Sequence, residues 1–358
     1  MATVGPTLER MEDLRQAIQA GASWFRLPCG YRQRPHLENA RAVGMAAREL
    51  GTSVQLLLDL PSSRPRTGMM PELRLNLQDR VIFWDPETRS DAPMQNGATP
   101  VPLPGLAALC SKLRPAHRLW FCDGRLSFAV VELTDSSVLA QLDQGTIPLK
   151  SSNSVFLPDS PSPFSTMTQQ DRELLDALAA EGIKPDWIAL SLISSPEDVR
   201  AARVEVRQLC KGDVKIMAKF ETRTAVQCAP DIIKDADGVM VARGDLGLAV
   251  GYIQLPGVQE QLVAAAREAG KPVVVATQIL EGFAETGLPQ RAELSDLSLI
   301  ARQRADVIML GKETVFSPRP LECIRFAREI LTYETGRFEN ACRTLAEDMP
   351  RARTVTAA

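Results

Sequence analysis

Residues 215–247, KIMAKFETRTAVQCAPDIIKDADGVMVARGDLG, decide the fold. They hold two short apolar runs, Lys215–Phe220 and Gly238–Ala242, with a helical segment of about a dozen residues between them. Neither run alternates in polarity, so both read as parallel strands buried on both faces. Each releases charge where it stops: Lys219 and Glu221 at the first, Arg243 and Asp245 around Gly244 at the second. In a closed parallel barrel, chemistry is done at that end of the strands.

The same alternation extends in both directions. Ala2-Thr3-Val4 is a short extended piece closed by Gly5-Pro6, and 7–20 has helical spacing ended by Gly21. Strand 23–27, helix 36–50 and strand 53–60, which ends on Asp59, follow. The pattern then breaks. From 69 to 158 the chain is rich in Pro, Gly and turn dipeptides, with short alternating strands at 73–77, 81–84 and 119–131. This composition predicts a small β-domain inserted between a barrel strand and its helix. The Pro-Asp-Ser-Pro-Ser-Pro run at 158–163 reads as a stiff return hinge.

Alternation resumes with helix 169–181, strand 187–192 and a helix opening at Ser195-Pro196, a cap followed by a first-turn proline. After the 215–247 stretch come helix 258–269, strand 272–277, helix 293–302, strand 306–310 and helix 318–332. Eight βα units with right-handed crossovers predict a (β/α)8 TIM barrel with a small β-domain inserted after the third strand. The expected organisation is a discontinuous barrel over 1–68 and 159–336, an inserted lid over 69–158 and a short tail over 337–358.

A chain of 358 residues accommodates one barrel plus an insertion. Hydrophobic residues at 45% suffice for its core, and 24% charged residues is an ordinary proportion. The net charge of −3 offers no basic surface for nucleic acid or an anionic membrane. Seven scattered cysteines, none spaced as a zinc pair, and no signal-peptide pattern lead to the expectation of reduced thiols in a cytoplasm. Cys29 reads more readily as a small buried residue than as a nucleophile, because His36 and His117 are the two imidazoles available to serve it as a base. No apolar run approaches the ~20 residues that span a bilayer, so a soluble protein with small-molecule partners is expected.

Arg26, Asp59, Lys219 with Glu221, Arg243 with Asp245, Thr277, and Lys312 with Glu313 stand at the ends of predicted barrel strands, aimed at one rim. Lys219 and Glu221 are two residues apart and share one side of the pleat if the strand continues. An unpaired charge at that depth is costly, so the two need each other or an ion. Glu221 and Asp245 follow consecutive strands, and two hard carboxylates with room for waters suit Mg2+ or Mn2+ better than zinc. Gly244 lets backbone approach a ligand, Gly247 frees the following turn, and N–H groups in such a turn hold an anion such as a carboxylate. Thr277 offers a hydroxyl opposite. The set predicts a site for a small dianion chelating a divalent metal, with Lys219 neutralising charge as it develops.

These segments resemble the pyruvate kinases. The resemblance rests on Ala218-Lys219-Phe220-Glu221, DGVMVARGDLG at 237–247, Gly270-Lys271-Pro272, Ala276-Thr277-Gln278, Arg291-Ala292-Glu293 and Ser295-Asp296. It extends to Ala305-Asp306, Glu313-Thr314 and Pro320-Leu321-Glu322, starts at Thr3-Val4-Gly5-Pro6, and includes Cys122-Asp123-Gly124 and 155–158 as parts of the family's mobile lid. It implies that Glu221 and Asp245 hold the divalent metal bridging the enolpyruvate oxygens and the phosphoryl group. Lys219 would stabilise the transferring phosphoryl, and Thr277 would lie near the methylene carbon that gains a proton. The backbone of Ala242, Arg243, Gly244 and Asp245 would bind the substrate carboxylate, and Arg26 and Arg66 match the phosphate-contacting arginines.

The departures from the family pattern fall on one side. Arg-x-Asn-x-Ser-His reads here Arg26-Leu27-Pro28-Cys29-Gly30-Tyr31, and Asp-Thr-Lys-Gly reads Asp59-Leu60-Pro61-Ser62. A lid lysine is replaced by Asn153, with Lys150 nearest. The metal and phosphoenolpyruvate half is thus intact, whereas the K+ and ADP half is eroded and the K+ site is expected to be lost. The stretch ends before the family's C-terminal regulatory domain, so its effector site is expected to be absent. Self-association into a homo-oligomer stays open, because part of the family's subunit contact belongs to that domain. The expected activity is phosphoryl transfer between phosphoenolpyruvate and ADP or another acceptor. The alternatives are a metal-dependent lyase acting on pyruvate- or oxaloacetate-like 2-oxo acids, and a non-catalytic phosphoenolpyruvate-binding protein.

Overall fold

The computed structural model describes residues 1–30, 35–95, 97–122, 124–158 and 165–348, the stretch 338–348 as backbone only. Strands β1 (Ala2–Thr3), β2 (Trp24–Pro28) and β3 (Gln55–Leu60) come first. An intervening segment contributes β4 (Arg80–Trp84), β5 (Ala98–Pro102), β6 (Arg118–Phe121), β7 (Leu126–Leu133) and β8 (Ser137–Gln144). Then follow β9 (Trp187–Leu190), β10 (Lys215–Phe220), β11 (Gly238–Ala242), β12 (Val273–Ala276) and β13 (Val307–Met309).

Eight parallel strands lie in the order β1-β2-β3-β9-β10-β11-β12-β13, and a parallel bridge between Ala2 and Leu310 brings the two ends of the sheet together. With a helix between successive strands, this is the (β/α)8 barrel that the apolar runs predict. Both runs of the 215–247 stretch form strands with the predicted bounds, and the helical segment between them is broken at Cys228 into Arg223–Gln227 and Ala229–Asp235. Ser195 and Thr168 cap their helices through reciprocal bonds with Asp198 and Asp171, which fixes where the chain turns from strand to helix.

The side chains divide into two cores because strand residues alternate in direction. One set packs outward against the helices. The other, Leu57, Trp187, Ala189, Met217, Met240, Val274, Ala276 and Met309, fills the barrel interior, with Trp24 and Trp187 in ring contact at 5.2 Å. The interior is therefore a packed core and leaves its open end at the carboxyl termini of the strands.

The inserted sheet has the order β5-β4-β8-β7-β6 and its own core, in which Phe83, Phe121 and Phe128 meet. The expected strand 119–131 is two antiparallel strands, β6 and β7, turning between Phe121 and Leu126. The expected strand 73–77 reduces to an isolated bridge between Leu73 and Leu149. Strands β5 and β8 lie outside the three expected stretches. β5 carries two prolines and pairs on one side alone, an edge position where a missing N–H is tolerated. Most of the expected hinge at 158–163 lies outside the described residues. The last helix, Pro320–Asp348, runs on past residue 337, where a tail was expected. Gly336 costs such a helix only about 1 kcal/mol and does not end it.

Thr314 ties the last βα unit to the first strand. Its hydroxyl accepts from Thr3 N–H at 2.9 Å and lies 3.0 Å from the Thr3 carbonyl, fully buried. Thr314→Val should therefore lower unfolding stability by about 2 kcal/mol in urea titrations, with Thr314→Ser retaining most of it. Equal midpoints for the two variants would remove the hydroxyl from barrel closure.

Candidate active site at the carboxyl ends of the strands

The alternation that fills the interior also builds the mouth. Two residues beyond Trp24, Leu57, Ala189 and Met217 along their strands stand Arg26, Asp59, Ser191 and Lys219, and two beyond Lys219 stands Glu221. Residues two apart share a face of the pleat, so these polar side chains cap the apolar core of the barrel. The register places Asp59 opposite Ala189, and Ala189 opposite Met217.

Lys219 is the hub. Its ammonium lies 2.9 Å from Asp59 Oδ1, 3.0 Å from Glu221 Oε1 and 2.6 Å from Ser191 Oγ, at 7% exposure. Asp59 in turn takes the Arg26 guanidinium on Oδ2 at 2.7 Å, from both Nε and Nη2. The other oxygen of Glu221 accepts from Leu192 N–H at 2.7 Å. Asp245, in the first turn of helix Arg243–Val250, takes Arg64 Nη2 at 2.6 Å on Oδ2. The pairing of Lys219 with Glu221 was expected from their spacing. Ser191 and Arg64 were missed. Ser191 directly follows β9 and could have been found by counting two residues on from Ala189, whereas Arg64 sits in an aperiodic segment without a local signal.

Burial would raise the Asp59 carboxyl, but Lys219 and Arg26 outweigh it and hold it below the usual carboxylate range. Burial would likewise lower the Lys219 ammonium, yet Asp59 and Glu221 outweigh it and hold it above the ordinary lysine value. Glu221 goes the other way. Burial pushes it up, and although Lys219 pulls it down, the carboxylates of Asp245 and Asp59 help to leave it above the usual range.

The remaining predicted residues occupy distinct places. A cavity of about 210 Å3 opens beside the cluster, lined among others by Arg26, Pro28, Gly244, Thr277, Glu281 and Lys312. Ala242 ends β11 and caps the helix that begins at Arg243, so the segment expected as a turn is a helical start and Gly247 lies inside it. A Cβ on Gly247 would come 3.0 Å from the Tyr252 ring, so close packing explains this glycine.

Arg243 does not aim at the rim. Its buried guanidinium donates to the carbonyls of Thr277 and Gln278 and pairs with Asp296 at 2.7 Å. Those two residues have positive φ, 74° and 53°, which is costly for side chains with a Cβ and especially for a β-branched one. Arg243 therefore holds the strained loop that presents Thr277. Glu313 is also a buried brace, accepting from the N–H groups of Ile279, Leu280 and Gly311. Arg66 donates to the Ser152 carbonyl at 3.0 Å and lies close to Gly30, between the end of β2 and the inserted unit. Lys150 pairs with Glu72 at 3.0 Å, and Asn153 accepts from Lys150 N–H, within that unit. Cys29 is fully buried.

Among the described residues no three His, Cys, Asp or Glu side chains form a metal cage. The donor set that fits a divalent ion is the neighbouring pair Glu221 and Asp245, near enough for their like charges to repel. Two carboxylates completed by water or substrate oxygens suit a hard ion that keeps part of its hydration.

A family model described as the pyruvate kinase barrel domain matches residues 1–324. The chain belongs to the pyruvate kinase family. It is 34% identical to a pyruvate kinase of Methylorubrum extorquens over 90% of this chain and 66% of that protein. Pyruvate kinases of Agrobacterium vitis and Thermotoga maritima are 32% and 29% identical, each over 92% of this chain and 68% and 69% of the relative. The chain thus spans about two thirds of the length of the curated relatives it matches. Within this pyruvate kinase barrel, Pro28 lines the cavity and Leu60 is buried in the outer core, so neither brings a side-chain oxygen to the mouth.

The pH dependence of stability follows from the shifts. The depressed Asp59 contributes stability that is complete above the ordinary carboxylate pKa of about 3.9 and is lost as pH falls through its lower folded value. The raised Lys219 contributes stability that is complete below about 10.4 and is lost as pH rises through its higher folded value. Glu221, raised, opposes Asp59: its contribution declines as pH rises from about 4.3 through its folded value. Asp59→Asn should destabilise the protein at pH 7 by about 3–5 kcal/mol, the cost of breaking a buried pair. Urea midpoints taken across pH should show the gap to the parent narrowing below pH 4, and a constant gap would contradict it.

Proposed function

We propose that this chain carries out metal-dependent phosphoryl transfer between phosphoenolpyruvate and ADP or another acceptor, giving pyruvate. The observation that carries the reading is the charged, buried Lys219 held between Asp59, Ser191 and Glu221 at the mouth, with the mutually repelling carboxylates of Glu221 and Asp245 beside it. Glu221 and Asp245 would hold Mg2+ or Mn2+, which supplies Lewis-acid neutralisation of the enolpyruvate and phosphoryl oxygens. Positioning and charge neutralisation are what phosphoryl transfer asks of a protein.

Lys219 places its ammonium against the phosphoryl oxygens while the bond from phosphorus to the enol oxygen breaks and one to an acceptor oxygen forms. Arg26 and Arg66 bind phosphate oxygens from the β2 side. The free N–H groups of the first helical turn, reached through Ala242, Arg243, Gly244 and Asp245, hold the substrate carboxylate. Thr277, presented by the loop that Arg243 braces, lies near the methylene carbon, where protonation turns enolpyruvate into pyruvate. The unit over 69–158 serves as a lid on the barrel of 1–68 and 159–336. Its Gly124, at φ 83°, sits so near Leu248 that a Cβ there would approach to 2.5 Å. Such a catalyst fits a cytoplasmic location, and no described helix is long and apolar enough to cross a membrane.

Pro28 and Leu60 favour transfer without K+. They also leave room for a second reading, metal-dependent cleavage of an oxaloacetate-like 2-oxo acid, since the acceptor side is the altered one. A coupled assay with phosphoenolpyruvate, Mn2+ and ADP should give pyruvate at a rate insensitive to K+. Lys219→Ala and Glu221→Gln should each lower that rate at least 100-fold, about the worth of one aimed electrostatic group, with the fold kept. Turnover surviving both substitutions would sink the site. Oxaloacetate consumption without nucleotide, and no transfer, would move the assignment to the lyase.

A further inference from the structure

The charged groups at the mouth form a sequence in space: Arg26, Asp59, Lys219, Glu221, Asp245, Arg64. Signs alternate along it except between Glu221 and Asp245. Arg64 stands next to that like-charge junction, 2.6 Å from Asp245 Oδ2, with its side chain 12% exposed. It leaves the segment that runs from β3 toward the inserted unit, and its guanidinium stacks over Phe156 with 5.5 Å to the ring centroid. Phe156 is buried and bridged to Trp120 of β6, so Arg64 spans from the inserted sheet to the barrel helix carrying Asp245.

We infer that Arg64 is a built-in competitor of the divalent cation. In the absence of metal its guanidinium holds Asp245 Oδ2, and an ion that takes that carboxylate as a ligand has to displace it. A guanidinium displaced from Asp245 can pair with an anionic ligand, since its planar fork matches a carboxylate or phosphate. A small dianion therefore rewards the displacement, and metal and dianion bind with positive coupling that runs through Arg64. This inference rests on the reading of Glu221 and Asp245 as metal ligands.

The test is Mn2+ binding to the full chain, followed by the electron paramagnetic resonance signal of free Mn2+, with and without oxalate as the dianion. Arg64→Ala and the bulkier Arg64→Gln should each tighten the Mn2+ dissociation constant about tenfold, equivalent to about 1.4 kcal/mol. In the parent, oxalate should tighten Mn2+ binding further, and in both Arg64 variants that enhancement should shrink. Arg74→Gln removes the same charge from an exposed arginine paired with Glu72, without touching Asp245, and should leave the constant within about threefold. Asp245→Asn should abolish binding in every background.

Arg64 variants that bind Mn2+ no tighter than the parent, while Asp245→Asn still abolishes binding, overturn the competition and leave the metal ligands standing. Equal tightening by Arg74→Gln reduces the effect to overall charge and overturns it too. An unchanged oxalate enhancement overturns the coupling. Absence of Mn2+ binding in the parent and in both Arg64 variants removes the metal reading, and this inference with it.

Discussion

The structure depends on keeping six ionic groups together where the apolar barrel interior meets solvent. A buried charge persists only when it is paired and hydrogen-bonded, and losing one partner leaves the other stranded. Asp59 is held by Arg26 and Lys219, and Lys219 by Asp59, Glu221 and Ser191. The members come from β2, from β3 and the segment after it, from the end of β10 and from the helix after β11, so the cluster forms only when the strands close in the right order. The same contacts that make the site also check the register of the sheet.

Support for the cluster lies one layer out. Arg243 and Glu313 fix the segments after β12 and β13 by bonding backbone groups that would otherwise stand buried without partners, and Asp296 holds the Arg243 guanidinium in place. Arg243 and Glu313 look catalytic in sequence because they are charged and follow strand ends. Their geometry shows bracing. The strained backbone at Thr277 and Gln278 is paid for by Arg243, and the outcome is a hydroxyl held at the edge of the cavity.

How legible each part was in the sequence follows from the range of the interactions involved. The barrel strands announce themselves because burial on both faces demands unbroken apolar runs such as Val239–Val241 and Val273–Val275. The pairing of Lys219 with Glu221 was legible from the period of two. The inserted sheet was less so: β5 carries prolines, and the turn between β6 and β7 has apolar neighbours on both sides. The direction in which Arg243 points has no local signature at all.

The sequence by itself determined the number and order of the βα units, the position of the insertion and the family, because these follow from local polarity patterns and contiguous motifs. It also named the acids and the lysine at the strand ends. Tertiary structure alone decided which of those charges meet. Asp59 reaches Lys219 across 160 positions of sequence, and Arg64 reaches Asp245 across 181. Contacts of that span are chosen by sheet closure and by the requirement that buried charge be compensated, neither of which leaves a trace in the neighbouring residues.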